Sequence, residues 1–381
     1  MSSTISVPVG STGNSSKPVA KRIVSLDALR GFDMFWIVGM EGIIHALSTV
    51  INYPLITRMD HVPWQGLHFY DFIFPLFVFI IGVSLVFSLS KTLETEGQKA
   101  ATIKVIRRGL ILYVLGLIYY GGISQGLDKV RLVGVLQRLA ICYTFAGLAF
   151  IWFKTRGRIV TCAFLLIGYW AVMTFVPVPG VGAGNFDEGK NLANYVDREF
   201  LPFRKWDGDH DPEGLLSNIP AIAQCILGLF AGLLLKNSKT PDKQKVRWLL
   251  LGGIAFIILG FLWGLQFPII KKIWSSSFVL VTTGVSAILL ATFYQIIDVW
   301  NHQKWAAPFV WIGCNAITIY LTMALFDFGK LASRLLGGPI TEWLDHRIAA
   351  GFGHLVIEVT VLMFGLLLAR FLYQRKIFLR V

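Results

Sequence analysis

A chain of 381 residues has room for two or three soluble domains, but 55% apolar and only 15% charged residues exclude a water-soluble globular protein. Lysine and arginine number 35 against 22 acidic residues, a formal charge of +13. In a polytopic membrane protein such a surplus orients helices, and it does not argue for a nucleic-acid partner.

Residues 1–21 are rich in Ser, Gly, Val and Pro and lack the apolar core of a signal peptide, so a disordered cytoplasmic tail is expected there. From residue 22 to 381 the chain reads as one all-α membrane domain, a single bundle of about ten transmembrane helices. The apolar windows are 32–50, 70–89, 105–123, 132–153, 159–176, 216–235, 248–266, 277–297, 308–326 and 353–373. With both termini cytoplasmic, the inner segments carry 22 Lys and Arg and the outer ones 12, which is the favoured orientation. The four cysteines, Cys142, Cys162, Cys225 and Cys314, lie inside apolar runs, where free thiols behave as small hydrophobes, so no disulfide and no metal site are expected.

The first span opens SLDALRGFDMFWIVGMEGIIHAL. Glu41 falls near mid-membrane, where an unpaired carboxylate costs at least about 2.5–3.5 kcal/mol. His45 is one turn on, so an in-helix pair is possible; a neutral Glu41 bonded to a neighbouring helix is the alternative. The next stretch, HVPWQGLHFYDFIFPLFVFIIGVS, sets His61, Trp64, His68 and Asp71 at the outer mouth of the second span. Pro75, four residues after Asp71, should free the Asp71 carbonyl and kink the helix. An interfacial loop before a kinked helix would explain this pattern too, but so many polar groups at one membrane boundary point to a site.

The inner loop after that span is basic and ends in Arg107 and Arg108, a common helix-end anchor. Arg138 lies about one and a half turns into the fourth span, suited to a phosphate or carboxylate or to a strut against Glu41 or Asp33. The segment 177–217 is the one long outer-face loop, and Asp207, Asp209 and Asp211 alternate within it. A calcium loop would need glycine where Pro212 stands and glutamate where Asn218 stands, so that reading is set aside. Asp211 and Glu213 instead suit a polar lid over the outer cavity. Asn315 in WIGCNAITIY is a mid-span amide that must find a partner, as packing glue or as a ligand contact.

Seven blocks, SLDALRGFDM, HVPWQGLHFYDFIFPLFVFIIGVS, DKVRLVGVLQRLA, DPEGLLSNIPAIA, PIIKKIWSSSFVL, GCNAITIY and LYQRKIFLRV, run in order along the chain. In this they resemble the heparan-α-glucosaminide N-acetyltransferase family, a branch of the transmembrane acyltransferases. The resemblance implies transfer of an acetyl group from cytoplasmic acetyl-CoA to the amine of a glucosamine-type sugar at the outer, periplasmic or lumenal face. It also implies an active-site histidine at His61 and a homodimer in a membrane, here a bacterial inner membrane. Where the family has a helper amide in the first span, this chain has Glu41.

On that basis His61, Glu41 and Asp71 are the expected catalytic groups. Arg107, Arg108, Arg138 and Asn315 are expected to hold acetyl-CoA, and Trp64, Asp211 and Glu213 the acceptor. His61 can serve as a general base or carry the acetyl group itself. The competing reading is a transporter of N-acetylglucosamine-type sugars, in which His61, Asp71 and Glu41 bind substrate or couple protons.

Overall fold

The computed structural model describes residues 23–51, 53–124 and 126–378, so the tail expected to be disordered lies outside the described residues. The first apolar window is broken: α1 (Val24–Phe35) runs into a π-helical turn, Trp36–Met40, and then α2 (Glu41–Val50). A single turn α3 (Pro54–Thr57) leads to α4 (Ile73–Thr95), α5 (Gly97–Tyr119), α6 (Val135–Trp152) and α7 (Thr155–Phe175). A short α8 (Leu192–Phe200) lies in the long loop before α9 (Asn218–Lys236), α10 (Asp242–Gly264) and α11 (Ser276–Phe293). The last part holds α12 (Ala307–Cys314), α13 (Ala316–Leu325), α14 (Phe328–Leu336), α15 (Pro339–Arg347) and α16 (Phe352–Gln374). The fold is all-α, as expected.

Among the described residues, seven helices are long and apolar enough to cross a membrane, eight if the bent pair α12–α13 counts as one span. The count of about ten is therefore not reproduced. The first window is divided by its π-turn, and α5 starts inside the basic loop, with Lys99, Lys104, Arg107 and Arg108 in its first half.

Burial separates the spans into two kinds. For α4, α9 and α11, 67%, 67% and 78% of the apolar window is buried, against 22% for each of α7, α10 and α16. Phe164 on α7 and Ile258 and Leu262 on α10 point outward. In water such faces would be a liability, but against lipid tails they are in their own solvent.

Glycines set the closest crossings, because lipid-embedded helices gain most from backbone proximity. A Cβ at Gly31 would strike the Phe309 carbonyl, and one at Gly313 the Asp27 carbonyl, so α1 and α12 touch through bare backbone. Gly82 of α4 and Gly228 of α9 meet in the same way, facing the carbonyls of Cys225 and Phe79.

The connections sort into two groups by their contacts. The His61 loop, the segment before α6, the loop 177–217 and the segment before α11 meet one another: Gly66 N–H donates to Ile269 O, and Arg204 N–H to Val130 O. Elsewhere the start of α1 donates Val24 and Ser25 N–H to Asp298, and Lys236 reaches Glu94. Alternate connections thus gather at separate places, as helices threading back and forth require.

Pro75 departs from expectation. It sits in the first turn of α4, after a 3₁₀ turn Phe69–Phe72, where its missing N–H would have had no helical acceptor anyway. The proline starts the helix and does not kink it.

Candidate active site

The local fold of the His61 loop is dictated by Asp71. Its carboxylate, wholly buried, caps the 3₁₀ turn: Oδ2 accepts the His68 N–H at 2.9 Å and the Val62 N–H at 3.2 Å. With Oδ2 spent on backbone, Oδ1 is left for side chains. His61 Nδ1 lies 3.0 Å from it, and Lys271 Nζ 3.3 Å. The His61 ring is 41% exposed and packs its edge against Tyr70 at 5.5 Å, and the Tyr70 hydroxyl donates to Trp36 O in the π-turn. His68, by contrast, is the cap residue of the turn, and its ring faces the Asp60 carbonyl.

An imidazole whose Nδ1–H is donated to a carboxylate presents a bare lone pair at Nε2, which is the form a general base needs. Lys271 Nζ also comes within 2.9 Å of Nδ1. The nitrogen cannot donate to Asp71 and accept from Lys271 at once; with the ring proton on Nδ1, the lysine is left to donate to Asp71 Oδ1. Burial holds the Lys271 ammonium below its usual range, against the pull of Asp71. Lys271 is not among the residues the sequence marks, although two adjacent lysines just before an apolar helix are a usable signal.

The block that brings Lys271 in also positions Arg138. Trp274 has φ +53°, a left-handed value unusual for so bulky a residue, and is fully buried. Ser275 supports the turn, its Oγ accepting the Ile270 N–H at 3.1 Å and capping α11 through the Phe278 N–H. The indole donates to Gln224 at 3.0 Å, and its face lies 4.5 Å from the Arg138 guanidinium. Arg138 donates to Pro212 O and Ser217 Oγ, both from the segment leading into α9, while its Nε and Nη1 have no hydrogen-bond partner among the described residues. It pairs with neither Glu41 nor Asp33, so the strut reading of the sequence does not hold.

Asp211 is spent on holding the loop 177–217. Arg131 clasps it with two hydrogen bonds, at 2.9 and 2.6 Å, and the N–H groups of Trp206 and Glu213 occupy the same two oxygens. Glu213 shares the Arg131 fork at 2.7 Å, and burial pushes its carboxyl up. Of the two, Glu213 keeps more capacity for a ligand. Trp64 donates its indole N–H to Phe186 O at 3.0 Å and borders a cleft of about 310 Å³ with Gln65, Asn185, Asp187 and Pro268.

The remaining candidates lie apart. Glu41 and His45 are both exposed on α2, and among the described residues no ion pair joins them. Arg107 is exposed on α5, whereas Arg108 turns inward over Tyr143 at 4.8 Å. Asn315 breaks the helix between α12 and α13, which bend by 66°, and donates to Ile377 O at 3.0 Å. Asp33 is buried in α1 with neither oxygen hydrogen-bonded among the described residues; the sequence marks it only as a partner for Arg138.

The family model described as "Heparan-alpha-glucosaminide N-acetyltransferase, catalytic" matches residues 22–196, a range that includes His61, Asp71 and Arg138 but ends before Glu213 and Lys271. The chain is similar to heparan-alpha-glucosaminide N-acetyltransferase of Homo sapiens, at 27% identity over 96% of this chain. To the Mus musculus protein of the same name it is 28% identical over 94%. It spans 62% and 61% of the length of those two relatives. Both comparisons find similarity to the family read from the seven blocks, the family model over a range that holds the first three of them and the two relatives over nearly the whole chain.

Proposed function

We propose, from that family resemblance, that this membrane protein is an acetyltransferase: it takes the acetyl group of acetyl-CoA from the cytoplasmic side and delivers it to the amine of a glucosamine-type sugar at the opposite face. The observation that carries the reading is the His61–Asp71 pair, with Nδ1 tied to a buried carboxylate and Nε2 left to act. The acceptor amine attacks the thioester carbonyl carbon, its proton passes to His61 Nε2, and the C–S bond breaks as CoA leaves as a thiolate that then takes up a proton. The unspent Nε and Nη1 donors of buried Arg138 suit the donor's acyl or amide oxygens, and the cleft beside Trp64 suits the sugar.

The inner mouth is assigned to the side of the basic loop before Arg107 and Arg108 by the charge bias. Between the two mouths an apolar crevice lined by Met34, Phe74, Leu139 and Tyr320 has a volume of about 10 Å³. A pantetheine arm passes there only if α1, α4, α6 and α13 part, so transfer is coupled to helix movement.

The test is to give purified protein acetyl-CoA and glucosamine, and to measure both binding of the donor and formation of N-acetylglucosamine. A transferase binds the donor and acetylates. Failure to bind acetyl-CoA, together with uptake of N-acetylglucosamine by proteoliposomes, would establish the transporter instead.

A further inference from the structure

Glu188, Asp207 and His210 project one ligand atom each into a common space at the outer loop, all within 4.8 Å of one another. A turn places two of them side by side, closed by Asp207 N–H donating to His210 O at 3.1 Å, with Gly208 at φ +88° supplying the left-handed step. His210 is buried, with only 6% of its side chain exposed, and its Nδ1 is held 2.6 Å from Asp209 Oδ1. That bond puts the ring proton on Nδ1. The lone pair of Nε2 then faces Glu188 Oε1 and Asp207 Oδ2, each 3.7 Å away, and Nε2 has no hydrogen-bond partner among the described residues.

Three electron-rich atoms facing one another repel unless a cation lies among them. We infer that Glu188, Asp207 and His210 form a site for a zinc-like divalent cation that clasps the outer loop over Trp64. One imidazole nitrogen and two carboxylate oxygens are a three-ligand zinc set, with ligand bonds of about 2.0–2.2 Å and a fourth position for water. The imidazole disfavours calcium and magnesium, which prefer oxygen alone. The Asp209–His210 bond is the outer-shell carboxylate that metal-binding histidines characteristically carry. This set differs from the calcium pattern rejected in the sequence, because it uses His210 and Glu188 in place of Asp209 and Asp211.

Lys272 is the rival cation. Its Nζ sits 2.8 Å from Glu188 and 2.9 Å from Asp207, and it must withdraw for the metal to bind. The side chain is partly exposed, and the Trp64 face, 5.9 Å from Nζ, offers the ammonium a second resting place. Trp64 also packs edge-on against His210 at 6.5 Å. A metal here would tie the part of the loop around Glu188 to the turn Asp207–His210 beside Trp64, whether or not the chain transfers acetyl groups.

The experiment is calorimetric titration of zinc into EDTA-stripped, detergent-solubilised full chain, with metal content measured after dialysis. One zinc per chain is expected, with a rise in thermal midpoint. His210→Ala should abolish that binding, and Asp209→Asn should weaken it by roughly 10–100-fold. Lys272→Met, which leaves every ligand in place, should bind more tightly than the parent. No stoichiometric zinc in the parent, undiminished binding in His210→Ala, or unchanged or weaker affinity in Lys272→Met would each overturn the site.

Discussion

Lys271 Nζ stands 2.9 Å from His61 Nδ1 and 3.3 Å from the Asp71 oxygen that the same ring nitrogen contacts. Two residues 210 positions apart thus compete for one hydrogen-bonding edge. Lys271→Met removes the rival donor and leaves Asp71 Oδ1 to His61 alone, so acetyl transfer should be held or raised. Single-turnover rates on the variant check it; a marked fall in transfer would make the lysine part of the reaction and not a competitor.

Asp71→Asn keeps shape but removes the charge that fixes the His61 tautomer. An amide presents an N–H toward Nδ1 as readily as a carbonyl, so Nε2 loses its role as base. We expect acetyl transfer to fall by about 10²–10⁴, with acetyl-CoA affinity changed little. Single-turnover rates at saturating donor would measure it.

Asp197 accepts the N–H groups of Leu215 and Asp211, yet burial outweighs those bonds and pushes its carboxyl up to about 6. The folded protein holds this proton more tightly than the unfolded chain does. Its favourable contribution is present below about pH 4 and is lost as pH rises through 6, at no more than about 1.4 kcal/mol per unit. The thermal midpoint should fall over that window, and Asp197→Asn should flatten the slope.

Gly228 faces the Phe79 carbonyl across the α4–α9 crossing with no room for a methyl. Gly228→Ala should force the helices apart and cost about 1–3 kcal/mol, read as a lower thermal midpoint in detergent. The same change at Gly252, which has nothing within 4 Å of its Cβ position, should leave the midpoint almost unmoved.

His61, Asp71 and Arg138 were legible because ionisable groups at the edge of a hydrophobic run are costly and stand out against it. The helices were legible for the same reason, as long apolar windows. Their places in the bundle were not: α4 and α10 are both apolar all round, and only tertiary packing makes one central and the other lipid-facing. Lys271 escaped notice because its partner is remote in sequence and no period of a helix reports such a contact. Asp211 read as a lid carboxylate because its clasp, Arg131, lies 80 positions away. The π-turn at Trp36–Met40 leaves no mark in WIVGM, which would serve equally in an α-helix.

The central claim, that His61 is the proton acceptor of acetyl transfer, is tested most directly by His61→Ala, assayed for both acetyl-CoA binding and acetylation of glucosamine. The account predicts donor affinity within a few-fold of the parent and transfer reduced by roughly 10²–10⁴. A variant that binds acetyl-CoA and still transfers at a rate within a few-fold of the parent, on the order of 1 kcal/mol in barrier, would contradict it.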